Sequence, residues 1–292
     1  MLIDIMYKKG FFMSNIKLIA LDLDGTLFTT QGTISSHTID VLNRAKDAGI
    51  EVIISTGRPF CGLPFEQISQ TGIRYAITSN GAAVYEIAEK NCLFENPMDP
   101  EMTIPILNYL LSKDIHMDAF IHGDGFSPAD RLSIAQKLNI PDSLKKYIIN
   151  TRTRVDDFAG FIQENRLSIQ KMTLNFPALP DGTLKDREDV KKYLLSTGIL
   201  TVVSGGYHNL EFTKAGVTKG AALTQLAEKL QIPIAQTMAV GDTENDLSIL
   251  KAAGLGVAMG NAPADIKAAA DAVTCSNDED GVAFAIEKYA LS

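Results

Sequence analysis

The sequence predicts an α/β protein whose core is a doubly wound, mostly parallel Rossmann-like sheet, interrupted by an inserted α+β domain. Apolar runs at 18–21, 51–54 and 237–240 each end at polar residues and precede a stretch with helical periodicity, which is the pattern of a parallel sheet. Between residues 86 and 211, which contain seven of the chain's 11 prolines, this alternation gives way to mixed short elements. Because the α/β pattern then resumes, an inserted domain explains the interruption better than a long loop does.

The bulk composition excludes several classes of protein. The chain has 292 residues, 46% hydrophobic and 21% charged, with a net charge of −8, which is typical of a globular protein of one or two domains. The acidic balance argues against nucleic acid or an anionic membrane as a partner, since basic surfaces meet both. No apolar stretch reaches the ~18 residues of a membrane span. Three scattered cysteines, Cys61, Cys92 and Cys275, indicate a reduced, cytoplasmic location.

The first residues do not have the pattern of a signal peptide. They include Lys8 and Lys9 but also Asp4, and only a short apolar segment follows. Because Met13 stands just before the first strand, we interpret residues 1–13 as an extension or alternative start outside the fold.

The first strand runs directly into two carboxylates, Asp22 and Asp24, and a turn at Gly25. An unpaired carboxylate inside a buried strand would be costly, so the strand is expected to end near Asp22. Ligands of open α/β sheets bind just beyond the carboxyl ends of the strands, where both carboxylates would lie. Turn chemistry alone could also select Asp and Gly here. The pattern Asp-x-Asp-Gly-Thr after an apolar strand resembles motif I of the haloacid-dehalogenase (HAD) superfamily of phosphohydrolases.

A helix and a second strand follow. Ser35 or Ser36 can cap the helix, and the strand at 51–54 is followed by Thr56 and Gly57. A hydroxyl and a backbone N–H at this point can hold one phosphate oxygen, and the pair resembles HAD motif II. The same residues could instead cap the next helix, which we expect over 60–69.

A third strand, 74–78, turns back through Asn80 and Gly81, because Asn-Gly between apolar runs is a hairpin signal. A plain turn explains Asn80 better than a catalytic role does. In the HAD family this turn lies near the site, so the resemblance makes Asn80 a candidate for substrate contact.

Within the inserted segment, periodicity predicts helices and strands without an internal repeat. We expect helices at 102–112 and 188–195, and strands at 117–121, 169–176, 199–203 and 210–212. His116 and His122 lack the spacing of a paired metal-ligand motif, and we interpret them as surface or loop histidines.

The inserted segment resembles the large C2-type α/β cap of the Cof-type HAD subfamily. Such a cap closes over the site and supplies substrate contacts. The resemblance gives an HAD catalytic core at 14–85 and 212–292, with the cap domain at 86–211.

Lys219 follows Thr218, which can cap a helix with an apolar face. A cation in the first turn of a helix is unfavourable unless an anion compensates it, which favours a functional role over a solvated lysine. The pattern Val-Thr-Lys-Gly resembles Cof-type motif III, whose lysine binds the phosphate and the nucleophilic carboxylate. Lys214 is the competing candidate, but no glycine and helix follow it.

The strand at 237–240 ends in the pattern Gly-Asp-x-x-Asn-Asp, which resembles HAD motif IV. Asp242 could simply cap a helix. However, three acidic side chains and the amide of Asn245 fall within five residues, and the carboxylates would repel one another without a cation. Together with Asp22 and Asp24, these residues form a group of acidic side chains that strongly indicates a cation site.

The resemblance implies a role for each of the acidic residues around a Mg²⁺ ion. Asp22 is the nucleophile and forms an aspartyl-phosphate, while Asp24 acts as general acid and then general base. The metal ligands are the side chains of Asp22 and Asp242 and the backbone carbonyl of Asp24. Asp246 orients Lys219 or metal-bound water from behind.

Five further groups would bind the transferring phosphoryl group. They are Lys219, Thr56, Asn245 and the backbone N–H groups of Leu23 and Gly57.

The sequence therefore predicts a Mg²⁺-dependent phosphatase of small phosphomonoesters, with sugar phosphates as the expected class. Asp24 argues for a hydrolase or mutase over an ion pump, because the pumps of this superfamily lack an acid there. Two alternatives stay open: a hexose-phosphate mutase, and a regulatory protein that binds phosphate without turnover, against which the four intact motifs weigh. The sequence leaves both a monomer and a homodimer possible.

Overall fold

A computed structural model describes residues 15–205 and 208–292, so the proposed extension at 1–13 lies outside the described residues. The chain forms two compact units. The core unit contains the described residues up to Gly57 together with Pro64–Leu93 and Thr218–Ser292, and the inserted unit contains Arg58–Leu63 and Phe94–Val217. These limits differ by a few residues from the boundaries of 86 and 211 expected from the sequence.

The strands of both units are numbered here in chain order. They are β1 Leu18–Leu21, β2 Glu51–Ser55, β3 Tyr75–Thr78, β4 Ala83–Glu86, β5 Asn91–Glu95, β6 His116–Ile121, β7 Asp124–Pro128, β8 Thr153–Val155, β9 Lys171–Asn175, β10 Leu200–Ser204, β11 Leu210–Lys214, β12 Thr237–Gly241, β13 Leu255–Ala258 and β14 Ala272–Val273.

The α-helices are numbered in the same way. They are α1 Ser36–Asp47, α2 Phe65–Ser69, α3 Pro100–Leu111, α4 Ala129–Leu132, α5 Asp142–Thr151, α6 Phe158–Glu164, α7 Arg187–Ser196, α8 Lys219–Lys229, α9 Leu247–Ala252, α10 Ala264–Ala269 and α11 Gly281–Tyr289.

The core unit is built on one sheet with the strand order β14-β13-β12-β1-β2-β3-β4-β5. β1 lies at its centre and pairs in parallel with both β12 and β2. Only apolar, fully buried residues make up β1, as expected for an inner strand of a parallel sheet. β3 and β4 form the expected antiparallel hairpin. The predicted α/β fold with a parallel core sheet is confirmed.

The helices that follow β1 and β11 begin at the expected caps. The Ser35 hydroxyl accepts a hydrogen bond from the Thr38 backbone N–H at the start of α1, and Thr218 accepts one from Ala221 at the start of α8. The helix expected over 60–69 is wrong in its length. Phe60–Gly62 form a single 3₁₀ turn and α2 starts only after Pro64, because proline has no N–H with which to continue a helix.

The inserted unit has a sheet of order β10-β11-β9-β6-β7-β8. Its pairs are antiparallel except β7 with β8. One face packs on α3, α6 and α7 through a single apolar cluster that includes Leu107, Ile162 and Leu194. The elements predicted as α3, α7, β6, β9, β10 and β11 are confirmed, while β7, β8 and the helices α4 to α6 were not expected.

The interpretation of His116 as a surface or loop residue is wrong. His116 is the first residue of β6 and is fully buried. Alternation along β6 places it on the same face as Asp118, and Arg152 covers that face by contacting Asp118. His122 does match the expectation, since its side chain is 68% exposed. No helix in the described part of the chain is long and apolar enough to cross a membrane.

Candidate active site

The end of β1 positions the first carboxylate. The Asp22 backbone N–H donates to the Val240 carbonyl of β12 at 3.0 Å, so the strand pairing extends one residue beyond β1. Asp22 is 6% exposed. The following turn needs glycine, because Gly25 has φ +85° and a Cβ there would lie 2.4 Å from Asp242 Oδ2. The loop after β1 therefore packs directly on the loop after β12.

Lys219 brings three segments of the chain together at one ammonium group. Its Nζ donates to Asp22 Oδ1 at 2.7 Å and to Asp246 Oδ1 at 2.6 Å, and lies 3.4 Å from Asn245 Oδ1. The side chain is fully buried. The cation in the first turn of α8 therefore lies against carboxylates, which compensate for its unfavourable position in the helix dipole.

Asp246 is held by donors on both oxygens. While Oδ1 accepts from Lys219, Oδ2 accepts from the backbone N–H groups of Asp242 and Thr243, each at 3.0 Å. Thr243 and Asp246 also form a capping box at the 3₁₀ turn Glu244–Asp246. This arrangement fixes the position of Lys219 and leaves Asp246 poorly suited to be a direct ligand of a cation.

Asp242 lies beside the first loop and is 7% exposed. Its Oδ1 accepts a hydrogen bond from Thr26 Oγ1 at 2.9 Å. Burial, with the nearby charge of Asp246 adding to it, raises the pKa of Asp242 to about 6. The negative charge on this group is therefore only partly compensated by the protein itself.

Asp22 and Lys219 form a coupled buried pair. Burial raises the pKa of Asp22 well above its ordinary range, and the charge of Asp246 adds to this effect while Lys219 opposes it. Burial would lower the pKa of Lys219, but the carboxylates of Asp22 and Asp246 raise it above its ordinary value. We infer that the ammonium stays charged and serves two carboxylates at once.

The donor set fits a hard divalent cation. One carboxylate oxygen from each of Asp22, Asp242 and Asp246 lies within 4.8 Å of the others, and the ammonium of Lys219 donates to two of these three carboxylates, Asp22 and Asp246. Clustered carboxylate oxygens with excess negative charge are the ligands that Mg²⁺ and similar ions take. Because the oxygens of Asp246 already accept hydrogen bonds, Asp22 and Asp242 are the side chains that fit direct ligation.

Leu23 and Asp24, the other residues predicted for the site in the first loop, directly follow Asp22. Leu23 is fully buried between the two carboxylates, and its carbonyl accepts from Phe28 N at 2.9 Å. Asp24 is exposed and forms an isolated bridge with Phe28. Asp22 and Asp24 are therefore in contrasting environments, one desolvated and one in contact with water.

The predicted phosphate-binding residues of the second loop connect to the site through the β3–β4 turn. Thr56 is 1% exposed, and its carbonyl accepts from Asn80 N at 3.2 Å. Asn80 Oδ1 in turn accepts from Asn245 Nδ2 at 3.3 Å. Gly57 follows Thr56 and is half-buried. The structure therefore links Thr56, Asn80 and Asn245, although a plain turn was the favoured interpretation of Asn80.

Sequence reasoning missed residues that support the first loop. Thr26 orients Asp242, and Asn261 Nδ2 donates to the Gly25 carbonyl at 2.8 Å. Asn277 in turn donates its backbone N–H to Asn261 Oδ1 at 3.0 Å. Asn261 stands in the turn after β13, another parallel strand, so its place at a strand end was the available signal.

Comparison with known proteins identifies the family of this chain. A family model described as haloacid dehalogenase-like hydrolase matches residues 19–286. Phosphatase YwpJ of Bacillus subtilis (strain 168) is 35% identical over 283 residues, which cover 92% of this chain and 98% of that protein. From the same organism, the 5-amino-6-(5-phospho-D-ribitylamino)uracil phosphatase YcsE is 31% identical over 281 residues, which cover 95% and 97%.

A solved structure agrees with these relatives. A haloacid dehalogenase-like hydrolase from B. subtilis has a TM-score of 0.77 and 31% identity, with 94% of this chain and 99% of that chain covered. Since the family model and the relatives span nearly the whole length of both proteins, this chain belongs to the haloacid dehalogenase-like hydrolase family and is a hydrolase of its phosphatase type.

Proposed function

We propose that this phosphatase hydrolyses small phosphomonoesters, with phosphorylated sugars and sugar alcohols as its substrate class, through a covalent intermediate on Asp22. The observation that carries the proposal is the buried ammonium of Lys219, bonded at 2.7 Å to Asp22 and at 2.6 Å to Asp246. A desolvated carboxylate held beside a fixed cation is suited to attack an anionic phosphoryl group.

In the first half-reaction a carboxylate oxygen of Asp22 attacks phosphorus, and the bond from phosphorus to the ester oxygen breaks. The leaving alkoxide takes a proton from Asp24. Exposure of Asp24 supports this role, because both the leaving oxygen and the attacking water must reach its carboxyl group.

In the second half-reaction Asp24, now a carboxylate, takes a proton from the attacking water. The water oxygen bonds to phosphorus, and the bond between phosphorus and Asp22 breaks. The products are inorganic phosphate and the original enzyme, with Asp24 protonated for the next cycle.

Charge compensation involves both protein groups and a metal ion. Bound Mg²⁺, held by the side chains of Asp22 and Asp242 and the carbonyl of Asp24, would neutralise the phosphoryl charge. Lys219 neutralises the nucleophile and the transferring oxygens from the other side. Thr56, Asn245 and the backbone N–H groups of Leu23 and Gly57 donate to the phosphoryl oxygens, and Asp246 keeps Lys219 in place.

The substrate class rests on the relatives. YcsE is named for a substrate in which the phosphate sits on a ribityl chain, a sugar alcohol, and it matches nearly all of this chain.

The test is a panel of phosphorylated sugars, sugar alcohols, nucleotides and cofactors, incubated with the full-length protein and Mg²⁺ and scored for released inorganic phosphate. We expect release to be fastest with sugar and sugar-alcohol phosphates, and EDTA to abolish it. Asp22→Asn should lower kcat/KM by at least about 10³-fold. Asp40→Asn, at an exposed position of α1, is the matched control and should retain wild-type activity.

Two results would contradict the proposal. Full activity of Asp22→Asn would exclude Asp22 as the nucleophile. Isomerised sugar phosphate without release of inorganic phosphate would indicate the hexose-phosphate mutase instead.

A further inference from the structure

The turn between β3 and β4 has an unusual backbone for a buried segment. Ser79, Asn80 and Gly81 have φ values of +51°, +57° and +99°, so two residues with side chains adopt the left-handed region in succession. Residues other than glycine rarely do so, and such conformations cluster at functional sites. Ser79 is 0% and Asn80 6% exposed, whereas ordinary turns lie at the surface.

This turn packs between two of the segments that form the active site. The Asn80 N–H donates to the Thr56 carbonyl at 3.2 Å. On its other side, a Cβ at Gly81 would lie 2.2 Å from the carbonyl oxygen of Thr218, the residue that caps α8 just before Lys219. Only glycine permits this approach, so the turn backbone is fitted against the start of α8.

The side chain of Asn80 contacts the amide of Asn245 on the side away from Lys219. Asn245 Oδ1 accepts from Thr243 Oγ1 at 2.7 Å and faces Lys219 Nζ at 3.4 Å. An ammonium group can only donate, so Asn245 presents its oxygen to Lys219 and its Nδ2 to the opposite side. There Asn80 Oδ1 receives it at 3.3 Å.

We propose that Asn80 is a positioning residue of the phosphatase reaction, which acts through Asn245 by holding its amide in the orientation that faces Lys219. This inference rests on the proposed function. The left-handed backbone of Asn80 is the means by which its side chain reaches Asn245 while its N–H stays on Thr56.

The test is Asn80→Gly, because glycine keeps the left-handed backbone and removes only the side chain. With p-nitrophenyl phosphate as the probe, we expect kcat/KM to fall about tenfold, the effect of one lost hydrogen bond of a neutral pair. The thermal midpoint should change by no more than about 4 °C, because relief of the left-handed backbone offsets part of the lost hydrogen bond. Inhibition by inorganic phosphate should weaken in parallel, since Asn245 is a phosphate-binding residue.

Lys90→Gly is the matched control. Lys90 is another residue with positive φ, +51°, in the core unit, but it is exposed. The same substitution there should leave kcat/KM and inhibition by phosphate unchanged.

A double-mutant cycle tests the route through Asn245. If Asn80 acts through Asn245, adding Asn80→Gly to Asn245→Ala should change kcat/KM less than twofold. An equal loss in both backgrounds would overturn the inference, as would wild-type activity of Asn80→Gly alone. If the wild-type protein released no p-nitrophenol, the proposed function would fail instead, so the two failures are distinguishable.

Discussion

Each unit buries a cation against carboxylates, but the charge balance of the two clusters differs. In the core unit the ammonium of Lys219 donates to the carboxylates of Asp22 and Asp246, and the carboxylate of Asp242 belongs to the same cluster. In the inserted unit the pairing is one to one: Arg152 Nε donates to Asp118 at 2.9 Å, and Lys171 donates to Glu211 at 2.8 Å.

This difference separates the proposed reaction centre from a structural network. A balanced buried pair satisfies itself and requires no additional ion. The carboxylates in the core unit outnumber the cation that pairs with them, and burial together with the charge of Asp246 raises the pKa values of Asp22 and Asp242. Unbalanced charge, rather than buried charge as such, marks the site of chemistry.

Substitution of the two buried lysines, Lys219 and Lys171, is the most direct test of this difference. Lys219→Met should lower kcat/KM by about 10³-fold, because it removes the fixed cation beside the nucleophile. Lys171→Met makes the same chemical change in the inserted unit, where it should lower stability and leave kcat within a few-fold of wild type. Steady-state kinetics and urea unfolding of both variants give the comparison. Equal losses of kcat would show that the two clusters do not differ in function.

The balance of the inserted cluster predicts the next largest effect. Arg152→Met should destabilise the protein by about 3–5 kcal/mol, because it leaves the buried carboxylate of Asp118 uncompensated. Contacts of the guanidinium with the rings of Phe120 and Tyr147, at 5.0 and 5.1 Å, are lost as well. Urea unfolding measures the change.

A second variant isolates the charge. Adding Asp118→Asn to Arg152→Met should restore much of the stability, since the unpaired charge is then gone. No recovery in the double variant would mean that packing of the arginine, and not its charge, holds the cluster.

The sequence predicted the core unit more fully than the inserted unit, for a physical reason. Parallel strands are continuous apolar runs. Their ends, where Asp22, Thr56 and Asp242 follow, can therefore be located from the sequence alone. In the inserted unit β7 contains Gly125 and Pro128 and β8 has only three residues, so neither has a clear alternating pattern.

Contacts between side chains from different loops could not be predicted. The bonds from Thr26 to Asp242 and from Asn245 to Asn80 join residues 216 and 165 positions apart, and local propensity contains no information about such pairs. Burial of His116 was missed for the same reason, because it depends on Arg152 and Asp118 packing on that face of the sheet.

Because the core cluster carries excess negative charge, a substitution that removes one of its carboxylates should raise stability even though it lowers activity. In EDTA, Asp242→Asn should raise the free energy of unfolding by up to about 3 kcal/mol above pH 6, since a shift in pKa from 3.8 to about 6 corresponds to roughly that amount. The raised pKa means that the folded state binds the proton more tightly, so the wild type loses stability as pH rises from about 4 to 6.

Urea unfolding in EDTA and in Mg²⁺ checks this expectation. The gain should be absent below pH 4, and Mg²⁺ should stabilise the wild type more than Asp242→Asn. Asp40→Asn, at its exposed position, should show neither the gain of stability in EDTA nor the weaker stabilisation by Mg²⁺. A variant less stable than wild type in EDTA would mean that Asp242 is not under uncompensated repulsion.

The smallest expected effect is on the pH dependence of stability, and it comes from His116 in the balanced cluster of the inserted unit. Burial lowers the pKa of His116, and the charge of Asp118 opposes this only in part, while Arg152 adds to the lowering. Its Nδ1 lies 3.0 Å from the Asn175 amide and its Nε2 lies 3.4 Å from Asp118 Oδ1. The folded protein therefore holds this imidazole neutral.

Below about pH 6.5 the unfolded chain takes up the proton more readily than the folded chain does. This histidine therefore contributes stability that is present at neutral pH and is lost as pH falls towards 5, with a slope of at most about 1.4 kcal/mol per pH unit. His116→Asn should flatten the dependence of urea unfolding on pH in this window. A wild-type slope in His116→Asn would mean that the folded and unfolded chains bind a proton on this imidazole equally well, so that burial beside Arg152 does not hold it neutral.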